Sequence, residues 1–179
     1  FLLLFGLLVS FGLQAQVSPV RWDRAFGGNK DEHAVYDVGI RLVPSKFGPH
    51  FYLMGRSESD ISGEKTEAAR GMFDVWIVKF DATGAVIWDK TLGGDGEEDT
   101  WELLELRSGQ LLVTANSWTP LASGDKSQDN YDPGNARADI WLVMLDSSGT
   151  KLWDRRYGST LDDKARSSLE LPSGNIVIA

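Results

Sequence analysis

The hydrophobic run that organises the chain is Val75-Trp-Ile-Val-Lys-Phe80, apolar at both sets of alternating positions apart from Lys79. Strand side chains alternate between faces, so a run that is apolar at both sets predicts a strand buried on both sides. Asp81-Ala-Thr-Gly84 follows. Its Asp begins a type I turn, where the carboxylate accepts backbone N–H groups, and its Gly holds the fourth position, where positive φ costs a glycine little. The next run, Ala85 to Leu92, carries Trp88 and is more polar, as an edge strand should be. The pattern predicts strand, turn, strand. It recurs at 139–159, with Trp141, Asp146, Gly149 and Trp153 in the places of Trp76, Asp81, Gly84 and Trp88.

The recurrence extends well beyond the hairpin. Trp22, Trp88 and Trp153 stand 66 and 65 residues apart, and Trp76 and Trp141 stand 65 apart. Each of the first three is followed by Asp, then by a glycine at Gly27, Gly93 or Gly158, then by an acidic pair: Asp31-Glu32, Glu97-Glu98 or Asp162-Asp163. Such self-similarity marks a repeat protein. One unit reads as four short strands, Val35 to Val43, Phe51 to Gly55, one from Val75 and one from Ala85. The counterparts are Trp101 to Leu106, Leu111 to Ala115, and, in the third copy, Ser167 to Leu171 and Ile176 to Ala179. Helical periodicity is absent. The expectation is an all-β fold of β-propeller-like repeats of about 65 residues, with four antiparallel strands per blade. Strands keep their spacing while connections vary in length, which turns the connections toward solvent, the loop at 116–138 above all. Trp22 to Phe26 reads as a lone fourth strand. Units at about 22–87, 88–152 and 153–179 fall short of the four to eight blades of a closed ring, so an incomplete arc is expected.

Composition adds a compartment. Phe1 to Leu13 is uncharged and apolar and runs into Leu13-Gln-Ala-Gln16, which has the form of the hydrophobic region and cleavage site of a secretory signal peptide over 1–15. It is too short to span a bilayer as a helix, which takes about 20 residues. The basic segment and initiator Met of a complete signal are absent, so the expectation is a shortened gene product. Cleavage would leave 16–179 as the repeat region. The chain has no Cys, which excludes disulfides, thiolate metal sites and a lipid-anchored N-terminal Cys. Its net charge of −8 lies wholly beyond residue 15 and opposes nucleic acid and anionic membrane surfaces.

The pattern Asp-x-Trp-[hydrophobic]-Val-x-[hydrophobic]-Asp-x-x-Gly-x-x-x-Trp-Asp-[Lys/Arg]-x-[Leu/Tyr]-Gly, followed by an acidic pair, resembles a repeat family of secreted and surface proteins of Bacteroidota. The likeness covers Trp22 to Ala179. It implies a propeller-like fold, a place outside the cell or on the outer-membrane surface, and type IX secretion, although no C-terminal sorting domain stands in this sequence. Members often carry a loop of the form Ser-x-Asp-Gly-Asp-x-Ser-Gly after the second strand. Ser57 to Gly63 and Ser117 to Asp125 depart from that spacing. Separately, Phe80 to Trp88 is similar to the tryptophan-docking motif of quinoprotein propellers, which would imply a cofactor-dependent dehydrogenase. A motif that packs blades carries no chemistry of its own.

The candidate chemistry is sparse. Tryptophans recurring in register read as blade-packing residues before sugar platforms. Trp101 and Trp118 lie outside the shared positions, and Trp118 with Tyr131 in the long loop is the candidate partner contact. The acidic clusters offer Asp95, Asp99, Asp125, Asp129 and Asp132 as candidate Ca²⁺ ligands, against a reading as solvated turns in which the first carboxylate of each pair caps backbone N–H groups. Asp74, Asp81, Asp139 and Asp146 flank strands as turn acceptors. No catalytic residue is assigned and no cofactor beyond Ca²⁺. His33 and His50 sit in unmatched positions without a Ser-His-Asp or metal-ligand spacing. The expected function is a secreted, non-catalytic binding or display scaffold whose partner is an extracellular protein or glycan. Its alternatives are a propeller enzyme or lectin acting on carbohydrate and, more remotely, a quinoprotein-like dehydrogenase.

Overall fold

The computed structural model describes residues 23–33 and 40–179. The expected signal segment and Trp22 lie outside the described residues, as do positions 35–39 of the first predicted strand, and 23–26, expected to continue a lone strand from Trp22, are not in a strand. Eleven strands follow one another: β1 (Glu32–His33), β2 (Arg41–Pro44), β3 (His50–Ser57), β4 (Asp74–Asp81), β5 (Val86–Leu92), β6 (Glu98–Glu105), β7 (Leu111–Ser117), β8 (Asp139–Leu145), β9 (Lys151–Tyr157), β10 (Ser168–Glu170) and β11 (Ile176–Ile178). Among the described residues there is no helix.

Within each sheet the named strands pair antiparallel. The second sheet is the plain case, in the order β6-β7-β8-β9. The first repeats it as β3-β4-β5, with β1 and β2 both on the free side of β3. The third sheet is the pair β10-β11. All-β architecture in four-stranded antiparallel sheets is therefore what the pattern predicted. The two hairpins match in detail: β4/β5 and β8/β9 slip register at the same place, between Lys79 and Phe80 and between Met144 and Leu145.

The turns follow the expected chemistry. Asp81 Oδ1 accepts from the Thr83 N–H at 2.8 Å, the Thr83 hydroxyl at 2.6 Å and the Ala85 N–H at 3.0 Å. Asp146 does the same for Ser148 and Thr150. These bonds hold both carboxyls below the usual carboxylate range. Gly84 and Gly149 take φ of +82° and +86°, where a side chain would be strained.

The main core lies between the first two sheets. Tyr52, Met54, Val75 and Ile77 of the first sheet meet Leu103, Leu111, Val113, Trp141, Val143 and Leu145 of the second. A smaller core between the second and third sheets joins Leu112, Leu142 and Met144 to Ile176 and Ile178. Of the shared tryptophans, Trp76, Trp88 and Trp141 are packing residues, whereas Trp153 is 38% exposed. Trp76 and Trp141 are buried, and each donates its indole N–H to the Asp that follows the next tryptophan, Asp89 or Asp154, at 3.0 Å. Trp88 packs on the main core and under Gly149. β10 and β11 cover only part of the second sheet's outer face. Leu112, Ile140, Leu142, Trp153 and Tyr157 line an open apolar groove of about 420 Å³ beside β11.

Leu145 is fully buried in the main core, whereas Leu169 on β10 is 59% exposed. Leu145→Ala is expected to lower unfolding free energy by about 3 kcal/mol. Leu169→Ala is expected to change it by less than about 0.5 kcal/mol. Urea unfolding of the two variants checks the contrast.

Candidate functional site

The loops at one end of the sheets, where β3 and β7 finish and β4 and β8 begin, hold most of the sequence's candidate residues. They are built on buried carboxylates. Glu98, fully buried, accepts from the Gly94 N–H at 3.0 Å and the hydroxyls of Ser117 at 2.7 Å and Thr119 at 2.5 Å. It thereby ties the β5–β6 turn to the start of the β7–β8 loop. Glu32 makes the matching set with Gly28, Ser57 and Ser59. Asp163 accepts from the Ser159 N–H at 2.6 Å. In all three acidic pairs it is thus the second carboxylate that accepts from the glycine turn, and in Glu98 it does so fully shielded from water. This corrects the expectation that the first carboxylate caps the turn; the turn is shielded from water at Glu98 and exposed ahead of Asp163. At Glu32 and Glu98 the physical reason is strand alternation, since each is the first residue of its strand, β1 or β6, whereas Asp163 lies in the connection before β10. Asp162, a first member, instead accepts from the Ala138 N–H at 2.9 Å in the long loop.

The glycine that precedes each turn has a steric reason to be one. At Gly93 and Gly158 the carboxylates of Asp74 and Asp139 stand where a Cβ would be. Those aspartates are buried and hold loop backbone, Asp74 accepting from Arg70 N–H at 2.5 Å and Asp139 from Tyr131 N–H at 2.7 Å. Burial pushes the carboxyls of Asp74, Glu98 and Asp139 upward.

The five aspartates offered as Ca²⁺ ligands are not brought together. Asp99 is buried against the Arg56 guanidinium at 2.6 Å, and Asp125 pairs with Arg70 Nε at 2.6 Å while accepting from Gly93 N–H at 3.2 Å. Asp129 accepts from Ala122 N–H at 2.7 Å and Asp132 from the Asn135 amide at 2.6 Å. Asp95 sits exposed in the β5–β6 turn, its N–H donated to Ser123 at 2.9 Å. Among the described residues no group of three or more acidic or histidine side chains is placed to hold a metal ion.

The aromatic candidates fare differently. Tyr131 is 54% exposed and lies under the Arg156 guanidinium, 3.5 Å from its ring centroid. Trp118 is half-buried, with Lys164 Nζ 5.0 Å from its ring. Trp101 is the bulged residue of β6, buried, with Arg166 stacked at 4.6 Å. Cations from the β9–β10 region thus stack on aromatics of β6 and the long loop, each pair worth about 0.5–1 kcal/mol at exposed sites. Sequence reasoning named the aromatics and missed the cations. Their signal was Arg156, Lys164 and Arg166 clustered where the third unit begins.

A raised carboxyl stabilises the fold while protonated, so Glu98's contribution is present below its ordinary value of 4.5 and is lost as pH rises above it. Glu98→Gln, which stays neutral, is expected to gain stability relative to the parent as pH rises from 4.5 toward 7. Parallel melting curves across that interval check it, and a constant offset would contradict it.

No protein-family model matches the chain, and no curated protein matches it either.

Proposed function

We propose that the chain is a secreted, non-catalytic β-propeller-like repeat protein that serves as an extracellular binding or display module, with its four-stranded sheets as blades. The observation that carries this reading is the contrast within the long loop. Its backbone is held by buried groups, Asn130 bonding the carbonyls of Ser117 at 2.9 Å and Arg137 at 3.0 Å, and Asp139 bonding Tyr131 N–H. Its tip nonetheless offers Tyr131, rigid on Arg156, to solvent. A fixed, exposed aromatic with a stacked guanidinium is the kind of anchor that dominates binding interfaces.

The carboxylates support binding over hydrolysis. Glycoside cleavage needs two carboxyls facing one substrate bond, one of them free to give a proton. At this end Glu98, Asp99, Asp125 and Asp139 are each engaged by backbone N–H groups, hydroxyls or arginines. The partner that fits is an extracellular protein or glycan meeting the Tyr131 and Trp118 side of the loop.

Screening the protein on an array of bacterial and host glycans and against purified extracellular matrix proteins tests the reading. Tyr131→Ala is expected to weaken any interaction by about tenfold or more, equivalent to about 1.4 kcal/mol, while the melting temperature falls by no more than about 4 °C through loss of the Arg156 stack. Turnover of a glycan substrate by the protein would overturn the non-catalytic reading.

A further inference from the structure

A polar crevice of about 300 Å³ lies at the opposite end of the sheets, lined by Phe47, His50, Tyr52, Lys79, Glu105 and Ser147 among others. It opens between the first and second sheets, under the β2–β3, β6–β7 and β8–β9 turns. The repeat shows what this place holds by default. Tyr52 and Lys79 are directly opposed on β3 and β4, and the pair opposed at the same register of β7 and β8 is Leu112 and Met144. One interface therefore has an apolar pair where the other has a phenol and an ammonium.

The ammonium is costly. Lys79 is only 9% exposed, and burial holds its pKa below the ordinary lysine value. The one hydrogen bond it makes among the described residues is to the Ser147 carbonyl at 3.2 Å, leaving two of three donors over. The ring centroids of Tyr52 and Trp88 lie 5.3 and 5.9 Å away. The nearest carboxylate is already occupied. Glu105 accepts from Ser45 Oγ at 2.8 Å, Lys46 N–H at 2.5 Å and Tyr52 Oη at 2.9 Å, and it forms no ion pair with Lys79. Glu105 has a structural counterpart, because Glu170 accepts from Arg107 N–H at 2.9 Å in the next turn. Lys79 has none. His50 stands beside Tyr52, its Nε2 3.4 Å from the hydroxyl, and burial together with Lys79 lowers its pKa, so it enters the crevice as a neutral imidazole.

We propose that this crevice is a binding site for a small organic carboxylate about the size of one sugar ring, with the Lys79 ammonium as its anchor. Lys79 is the one cation among the lining residues and has two spare donors, and the Glu105 carboxylate that shares the crevice acts on it by charge, so the site has room for no more than a monoanion held at Lys79. A phosphate dianion would bring a second negative charge against the Glu105 carboxylate, with no arginine among the lining residues to offset it. The His50 imidazole offers a further polar contact, and Phe47, 56% exposed at the mouth, gives a flat apolar wall for a ring. The volume is at the lower end for ligand pockets, which limits the occupant to one ring. The site is separate from the Tyr131 loop and does not depend on the function proposed for it.

The test titrates the protein with glucuronate, glucose and inorganic phosphate, following His50 ring resonances by NMR. Glucuronate is expected to bind saturably with Kd below about 10 mM, and glucose at least tenfold more weakly. The repeat itself supplies the variant: Lys79→Met installs the residue found at Met144, and it is expected to melt no lower than the parent while losing glucuronate binding by tenfold or more. Phe47→Ala, at an exposed position, is expected to weaken binding with the fold unaffected and serves if Lys79→Met does not fold. Equal affinity for glucose, tighter binding of phosphate, full binding by the Lys79→Met variant, or no saturable shift with glucuronate would each overturn the assignment.

Discussion

The carboxylate at the head of each sheet holds the arrangement in register. Glu98 sits where three chain segments converge, and it takes a donor from the β5–β6 turn and two from the segment that leaves β7. A buried carboxylate with all its partners is tolerable, and one with a partner missing costs several kcal/mol. Strand register, turn path and loop exit are therefore set by one demand, that this buried carboxyl group find its partners. Glu32 makes the same demand of Gly28, Ser57 and Ser59. The tryptophans and aliphatic residues then fill the space the carboxylates have framed.

The strands were legible because their physics is local. Val75 to Phe80 is apolar on both faces, Asp81 and Gly84 specify a turn by their own side chain and backbone, and a second copy at 139–159 removes the ambiguity of the first. The site was legible only in part. Asp99 and Asp125 looked like spare oxygen ligands because nothing near them in sequence is basic enough to claim both. Their partners, Arg56 and Arg70, come from the loop and strand of the preceding unit, 43 residues away in the case of Asp99. Which member of an acidic pair faces inward depends on where the strand starts, and a shift of one residue reverses it.

The long loop and the crevice show two ways for a repeat to acquire specificity. In the loop, length supplies surface, and the frame stays intact because Asn130 and Asp139 fasten the insertion to it. In the crevice, the strand pairing is kept and the opposed pair differs, Tyr52–Lys79 against Leu112–Met144, under a β2–β3 turn one residue longer than the β6–β7 turn. Comparison of the units position by position finds the second kind of site directly, since a charged residue at a packing position of a single copy has no role in the shared frame.

The groove beside β11 has a mechanical meaning. Stability in a stacked repeat is close to a sum of terms between neighbours, so each sheet is as secure as the contacts on its two sides. The second sheet is gripped by a full set of strands on one face and by two three-residue strands on the other. Loss of β10 and β11 through local unfolding would bare Leu112, Ile140 and Leu142 together, next to a strand edge able to template pairing. Three backbone pairs between β10 and β11 thus hold in place the side chains, Ile176 and Ile178 among them, that cover this face of the second sheet.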